Sequence, residues 1–510
     1  MSGTVVSGLP LLAVLVPTVA ALLAALTTGR WPNLRDVWAT VAGIAMVAIT
    51  VILLVETLDG HIHRTVLLEL SLGINSPGIN IALRADPAGM IFGLLVSVLW
   101  VLAGVYAVGY MRGEHERKQT RFFVAFALSI AAAAGVALAE NLLTFILFYE
   151  LLSLFTYPLV THRETETALV AGRKYLAYTL SGGIMLIGAA AWLHVLGVDT
   201  TFRAGGFLEG VNLDSVTQWA LFALLAGGVG VKAAVMPLHS WLPSAMVAPT
   251  PVSALLHAVA VVKAGVFGMV RVGVFVFGAA LLDDMGAWLV LAIMSAATLI
   301  IASILALRHD NLKRRLAYST ISHLSYIVLG VALIGPLALT GALLHIVGHG
   351  VTKITLFFVA GAIHVRTHKE NVSELDGIGR QMPVTMGSFA LASLSMVGIP
   401  PFILFTSKWY LGWGAVEVGQ QAFLIVYLVS GLLAAGYLFP IVIRAFLRSS
   451  PDHTRYGEAD IRMVAPIALT AVLALVWGIA PDLPLGFFEL ASTVADAAFP
   501  PSVALAGVTP

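Results

Sequence analysis

The chain has 510 residues, of which 59% are hydrophobic and 11% charged, with a formal net charge of +1 and no cysteine. A soluble domain carries roughly 25% charged residues, so this composition excludes a fully water-facing surface and predicts a polytopic, all-α membrane protein. The missing cysteines exclude disulfides, cysteine-ligated iron–sulfur clusters and thiol catalysis, and the small net charge gives no indication of nucleic acid binding.

Apolar runs separated by polar breaks predict about fourteen transmembrane helices. No basic segment precedes the first run, so we expect a first span rather than a cleaved signal peptide. In chain order the predicted spans are residues 9–28, 37–58, 82–111, 119–138, 141–161, 169–196, 217–246, 250–277, 287–307, 314–334, 339–365, 384–414, 421–447 and 462–487.

The basic residues are distributed unequally between the two sides of this topology. One side holds only Arg64, Arg84 and Arg203. Because positively charged loops stay in the cytoplasm, we expect a multi-pass protein of the inner (plasma) membrane with both termini on the outer, periplasmic side. The predicted cytoplasmic loops are residues 29–36, 112–118, 162–168, 308–313, 366–383 and 448–461.

Two predicted helices are interrupted by proline, one at Pro237 and Pro243 and the other at Pro400 and Pro401. Proline removes a backbone donor, and inside a bilayer the freed carbonyls need protein or water partners. Each break lies in the fourth of five consecutive helices, which predicts two inverted five-helix repeats around a transport site. The predicted divisions are residues 1–118, 119–277, 278–447 and 448–510.

Five charged side chains fall inside predicted helices or beside the two breaks: Glu150, Lys232, Lys263, Lys353 and Lys408. A charge at the bilayer centre costs ~2.5–3.5 kcal/mol on insertion scales, so such groups indicate function. A Glu–Lys pair that opens and closes changes how tightly the lysine holds its proton. The pattern therefore predicts a proton path along the central plane of the membrane.

Histidines extend this predicted path. His345, His349 and Lys353 are spaced i, i+4, i+8 and share one helix face, and His257 and His323 are further candidates for proton relay. The i, i+4 histidine pair also has the spacing of a zinc site, but no HExxH arrangement accompanies it. His349 and His364 resemble half of a haem site that has no second helix, so we expect neither metal nor cofactor.

Three further polar residues have open or local roles. Glu140 is either a capping, water-facing residue or an accessory residue at a proton entrance. His239 either satisfies carbonyls freed by the first break or takes part in transport. Arg271 is near a helix end, where we expect its side chain to extend to the membrane surface.

Five segments resemble the antiporter-like subunits of Mrp-type cation/proton antiporters, respiratory complex I and membrane-bound hydrogenases. The resemblance covers about residues 85 to 450. The segments are "FYELLSLFTYPLV", "KAAVMPLHSWLPSAMVAPTPVSALLHA", "LAYSTISHLSY", "HIVGHGVTKITLFFVAGAI" and "GIPPFILFTSKWYL".

The resemblance implies a proton-translocating subunit that works beside other membrane subunits and is not catalytic by itself. It implies a Glu150–Lys232 pair, a bridging Lys263, a Lys353 group with His345 and His349, and a terminal Lys408. The complex I M-type subunit usually has glutamate in place of Lys408, and the short apolar tail after residue 487 cannot form the long lateral helix of the L-type subunit. Both features favour a protein like the D-type subunit of Mrp antiporters.

Several alternatives remain open at this stage. The chain is otherwise a proton-pumping subunit of a complex I-like NADH-quinone oxidoreductase or a membrane-bound hydrogenase, or a subunit for proton-coupled inorganic carbon uptake. A self-sufficient transporter of a small solute and a haem-containing redox enzyme are the rivals from other classes. The sequence leaves open whether sodium moves with protons, and in which direction protons run.

Overall fold

The computed structural model describes residues 3–27, 31–70, 78–453 and 455–500. Arg30 of the first predicted basic loop and residues 501–510 of the predicted C-terminal segment lie outside the described residues. Within the described part, the chain folds into a bundle of long helices with a small sheet at one end.

The helices follow the predicted segments closely. Two π-helical turns, Leu255–Val259 and Arg271–Phe277, and short 3-10 helices at Ala245–Val247, Val372–Glu374 and Pro451–His453 lie between them. The α-helices are α1 (Leu9–Leu26), α2 (Pro32–Leu58), α3 (Pro87–Gly113), α4 (Gln119–Ala137), α5 (Leu142–Val160), α6 (Glu166–Val195), α7 (Ser215–Lys232), α8 (Trp241–Ser244), α9 (Thr250–Ala254), α10 (Val261–Val270), α11 (Gly278–Asp284), α12 (Ala287–Arg308), α13 (Leu312–Ala332), α14 (Pro336–Thr367), α15 (Ile378–Gln381), α16 (Pro383–Val397), α17 (Ile403–Glu417), α18 (Gln421–Leu447), α19 (Ile461–Ile479) and α20 (Phe487–Ala498).

The sheet was not predicted from the sequence. It contains β1 (Gly3–Val6), which pairs in parallel with β2 (His61–Leu70), and β3 (Ile79–Arg84), which pairs with β2 in antiparallel fashion. We call the end of the bundle that carries this sheet the sheet face. The predicted third helix was therefore wrong at its start, because residues 82–84 belong to β3.

Polar side chains set several helix starts. The Asp86 carboxylate accepts a hydrogen bond from Gly89 N at 2.7 Å at the start of α3, and Asn141 Oδ1 accepts one from Thr144 N at 2.8 Å at the start of α5. These side chains satisfy backbone donors that the first helical turn leaves free. Polar breaks in the apolar pattern are for this reason reliable markers of helix ends.

Among the described residues, eleven helical segments are long and apolar enough to cross a membrane. The protein is thus a multi-pass, helical membrane protein, as predicted, while the count of fourteen spans and the inverted repeats stay predictions. Two of the spans are enclosed on all sides: Thr250–Phe277, which we call the central span, and Pro336–Thr367, which is α14. The most hydrophobic stretch of each of these two spans is completely buried, so the polar residues within it lie inside the bundle.

Candidate functional site

The four candidate lysines lie in the interior of the bundle. Lys232, Lys263 and Lys353 are fully buried, and Lys408 is partly buried. Each of their ammonium groups has a polar or charged partner in the protein. A buried charge needs such partners, because water does not reach it to replace them.

The first break places a lysine opposite a carboxylate. Lys232 is the last residue of α7, and its Nζ lies 3.9 Å from Glu150 Oε1 on α5. The same ammonium lies 3.4 Å from the centroid of the Tyr149 ring and donates to the Tyr149 carbonyl oxygen. Gly183 on α6 makes room for the Glu150 carboxyl group, since a Cβ at residue 183 would overlap it.

Backbone groups freed by this break find new partners. The indole N–H of Trp241 donates to Val231 O at 2.9 Å, and Met236 N donates to Thr298 Oγ1 at 3.0 Å. His239 is half-buried; its Nδ1 has no hydrogen-bond partner among the described residues, and its ring interacts with the backbone of Pro237 at the break. Trp241 and Thr298 thus bind backbone groups at this break.

The central span touches the end of α7 through a glycine. A Cβ built on Gly265 would overlap the backbone that joins Lys232 to Ala233. The absence of a side chain lets the two backbones meet. Lys263, two residues before Gly265, is thereby held near the first break.

Lys263 begins a series of hydrogen bonds and ring contacts. Its Nζ lies 2.6 Å from His349 Nδ1, and the His349 and His323 rings are stacked with centroids 5.7 Å apart. His323 Nδ1 lies 3.2 Å from His345 Nε2, and His345 Nδ1 lies 2.9 Å from Ser407 Oγ. We call these five residues the polar row: Lys263, His349, His323, His345 and Ser407.

The second break ends the polar row. Ser407 is followed by Lys408, whose Nζ donates to Met396 O at 2.7 Å and to Val397 O at 2.9 Å. These carbonyls close α16, where no further helical turn supplies donors. The lysine side chain thus caps the broken helix and lies 5.1 Å from the Tyr326 ring centroid.

Lys353 lies beside the row and has contacts of its own. Its Nζ donates to Ser319 Oγ at 2.7 Å, and Ser319 Oγ lies 2.9 Å from the Tyr437 hydroxyl. Lys353 shares α14 with His345 and His349, and all three side chains contact α13, but Lys353 does so through Ser319 and the two histidines through His323. The predicted helix face therefore divides into a row and a branch.

Two other candidates are not joined to the row by hydrogen bonds. His257 is fully buried, both of its ring nitrogens are without a partner among the described residues, and its ring lies 4.7 Å from that of Phe357. Glu140 is 6% exposed, and both of its carboxylate oxygens lie 2.8 Å from Arg64 Nε. Glu140 is thus an ion-paired residue near the sheet face and does not face water.

The expectation for Arg271 was wrong. Its side chain does not extend to the membrane surface: Arg271 is 1% exposed and forms a bidentate pair with Asp86, at 2.7 and 2.9 Å. Sequence reasoning missed Asp86 because the partners are 185 positions apart. The available signal was the Asp-Pro pair at residues 86 and 87, which is typical of a helix start.

The ring nitrogens of the polar row differ in how they are used. His345 uses Nδ1 for Ser407 and Nε2 for His323, and His349 Nδ1 faces Lys263, whereas Nε2 of His349 and Nε2 of His323 have no hydrogen-bond partner in the described part of the chain. Across the part of the chain that the structure describes, no group of three or more histidine or acidic residues is arranged to hold a metal ion.

Comparison with known proteins gives matches along most of the chain. The family described as NADH:quinone oxidoreductase/Mrp antiporter, TM, matches residues 139–434, and the complex I chain 5 N-terminus family matches residues 72–123. NADH-quinone oxidoreductase subunit N of Desulforudis audaxviator is 34% identical over 89% of this chain and 89% of its own length.

A probable K(+)/H(+) antiporter A/B subunit of Rhizobium meliloti is 32% identical over 81% of this chain, which spans 41% of that longer protein. Among solved structures, a chain of the Mrp complex from Dietzia sp. has a TM-score of 0.81 at 22% identity, with 97% of this chain and 98% of that chain covered. This structural likeness shows that the helices of this chain have the same overall arrangement as those of that chain.

Proposed function

This chain belongs to the NADH:quinone oxidoreductase/Mrp antiporter family of transmembrane subunits, and on that premise we propose a function. We propose that it moves protons across a membrane as one subunit of a multi-subunit complex. The observation that carries the proposal is the polar row, which links Lys263 to the second break inside membrane-length helices.

The Glu150–Lys232 pair is the loading site in this proposal. Opposite charges 3.9 Å apart stabilise each other, so a movement that separates them weakens the hold of Lys232 on its proton. Lys263, whose helix meets the end of α7 at Gly265, is the next acceptor. Imidazole rings then pass protons by taking one at one nitrogen and releasing one at the other.

The predicted division into two five-helix units, residues 119–277 and 278–447, belongs to this proposal. It is supported by one shared feature: the lysine at each break lies over a tyrosine ring, Lys232 over Tyr149 and Lys408 over Tyr326. Both tyrosines lie in the second predicted transmembrane span of their unit. Placement in the plasma membrane with both termini outside is likewise part of the proposal, as are the cytoplasmic basic loops.

We place the chain in an Mrp-type monovalent cation/proton antiporter, in the position of its D-type subunit, with sodium as a candidate second ion. Lys408 stands where the M-type subunit of complex I usually has glutamate, which speaks against the M-type. This feature does not speak against the N-type. Because the relative matched over most of both lengths is of the N-type, a complex I-like role is the second candidate.

The central test replaces the loading pair. In vesicles that contain the assembled complex, Glu150→Gln and Lys232→Ala are each expected to reduce driven proton transport by roughly tenfold or more, because each leaves the other charge without its partner. Co-purification of the partner subunits checks assembly. Near-normal transport in both variants would falsify the assignment.

A separate experiment distinguishes the two complexes. Chains that co-purify with the tagged protein are identified, and the vesicles are driven either by a sodium or potassium gradient or by NADH with a quinone. Transport driven only by the cation gradient supports the antiporter. Transport driven only by NADH replaces it with the complex I-like role.

A further inference from the structure

The buried pair of Arg271 and Asp86 is not explained by the proton path. Arg271 lies on the central span, eight residues after Lys263, which places it ~12 Å further along the helix towards the sheet face. Its guanidinium group binds Asp86, the residue that caps α3. A fixed charge therefore stands between the polar row and the nearest end of the bundle.

Aromatic rings surround this charge. The guanidinium carbon lies 4.6 Å from the ring centroid of Phe275, 4.9 Å from that of Phe267 and 5.0 Å from that of Phe202. All three phenylalanines are buried, so the space around Arg271 is filled by side chains. Such packing leaves little room for the water that conducts protons.

The cluster keeps a net positive charge. Arg84 Nη2 lies 3.5 Å from Asp86 Oδ2, so two guanidinium groups face one carboxylate. Arginine stays protonated at all physiological pH values, so it repels a proton and does not relay it. Pores that exclude protons use a fixed arginine in the same way.

We propose that Arg271 is an electrostatic barrier that prevents protons on Lys263 from leaking to the sheet face. The inference rests on the proposed function, because the proton that is retained is one carried by the polar row. Asp86 is a positioning residue: it holds the guanidinium group in the aromatic cage and is not itself the barrier.

The experiment measures passive proton leak in vesicles that contain the assembled complex, with no driving reaction or ion gradient other than pH. Arg271→Gln removes the barrier charge, and leak is expected to rise roughly tenfold, the effect of a unit charge ~12 Å away at an effective dielectric constant of about 20. Asp86→Asn removes the carboxylate charge but keeps the cation and an amide oxygen that accepts a hydrogen bond from the guanidinium group, so its leak is expected to equal that of the natural protein.

Two further variants separate charge from structure. Arg271→Lys keeps a cation, so its proton leak is expected to stay as low as that of the natural protein. The triple variant Arg84→Gln, Asp86→Asn, Arg271→Gln leaves no charge in the cluster, and it is expected to be leaky, which preserves the test if Arg271→Gln alone does not assemble. Leak that rises equally in Asp86→Asn and Arg271→Gln, or in neither, overturns the barrier.

The outcome can be separated from the fate of the proposed function. Glu150→Gln is expected to stop driven transport while the leak stays low. If Glu150→Gln leaves driven transport intact but Arg271→Gln leaks, the loading pair is wrong and the barrier stands. If Glu150→Gln stops driven transport but the proton leak of Arg271→Gln stays low, the proposed barrier is wrong and the proposed proton path stands.

Discussion

The two broken helices hold their lysines in different ways. At the first break, Lys232 faces the Glu150 carboxylate at 3.9 Å, while at the second break Lys408 donates to the carbonyl oxygens of Met396 and Val397. Within the described residues, no carboxylate pairs with Lys408. A carboxylate can gain or lose its charge and a carbonyl cannot, so the first lysine responds to protonation of its partner whereas the second is held by fixed backbone dipoles.

The largest expected effect comes from removing each lysine in turn. Lys232→Met and Lys408→Met are both expected to abolish driven proton transport, but Lys408→Met is also expected to destabilise the protein more. It leaves two helix-end carbonyls without a donor, at about 1–3 kcal/mol each. Lys232→Met leaves the Glu150 carboxylate without its cation, but that group can bind a proton and become neutral, and the released Tyr149 carbonyl lies within α5 and keeps its helical donor.

Vesicle transport and thermal unfolding of the assembled complex measure the two effects. Equal losses of stability in the two variants would contradict the difference between the breaks.

A methyl group added beside each lysine site sharpens the comparison. Gly183 has a helical backbone conformation, so alanine at this position is not strained. The added methyl group displaces the Glu150 carboxyl group, so transport is expected to fall several-fold with little change in stability. Gly398 has φ of +94° and a Cβ there would lie 2.8 Å from Lys408 Cδ, so Gly398→Ala is expected to lower both transport and stability, the latter by about 1 kcal/mol.

Gly188→Ala on α6 is the matched control, since nothing lies within 4 Å of its added Cβ. A loss of transport in this control as large as in Gly183→Ala would show that α6 tolerates no alanine. Unchanged transport in Gly183→Ala would show that the position of the Glu150 carboxyl group does not matter.

The smallest effect is expected at an exposed carboxylate of the first unit. Glu164 follows α5 in a surface loop, where hydrogen bonds from Lys118 and Arg121 lower its pKa to about 2. A lowered pKa means that the interaction stabilises the fold above pH 4.5 and is lost as the pH falls through about 2. Because the site is exposed, the contribution is small.

Glu164→Gln is therefore expected to transport protons normally and to differ in thermal stability only slightly at pH 7, with the difference disappearing in strong acid. The same vesicle assay that tests Glu150→Gln measures it. A transport defect as severe as that of Glu150→Gln would mean that charge in the first unit matters wherever it lies.

The sequence predicted the helices well for a physical reason. Apolar runs must be as long as the bilayer is thick, and polar caps such as Asp86 and Asn141 stand at their ends. It also predicted that Lys232, Lys263 and Lys353 are buried, because apolar neighbours surround them in the chain. These features are local, so a single sequence contains them.

Features that depend on distant segments were missed. The sheet pairs β1 with β2, which are separated in the chain by the whole of α1 and α2. Short strands beside long helices also have only a weak periodic pattern in the sequence. The bond of Lys263 to His349 and the burial of Arg271 depend on helix rotation, which apolar periodicity does not define in a helix that is enclosed on all sides.

The contact at Gly265 couples the movement of α7, which carries Lys232, to that of the central span, which carries Lys263. The backbone of the central span rests directly on the peptide that joins Lys232 to Ala233. No flexible side chain lies between them to absorb a displacement. A shift of the terminal turn of α7 towards this contact displaces the central span as well, and Lys263 moves with it.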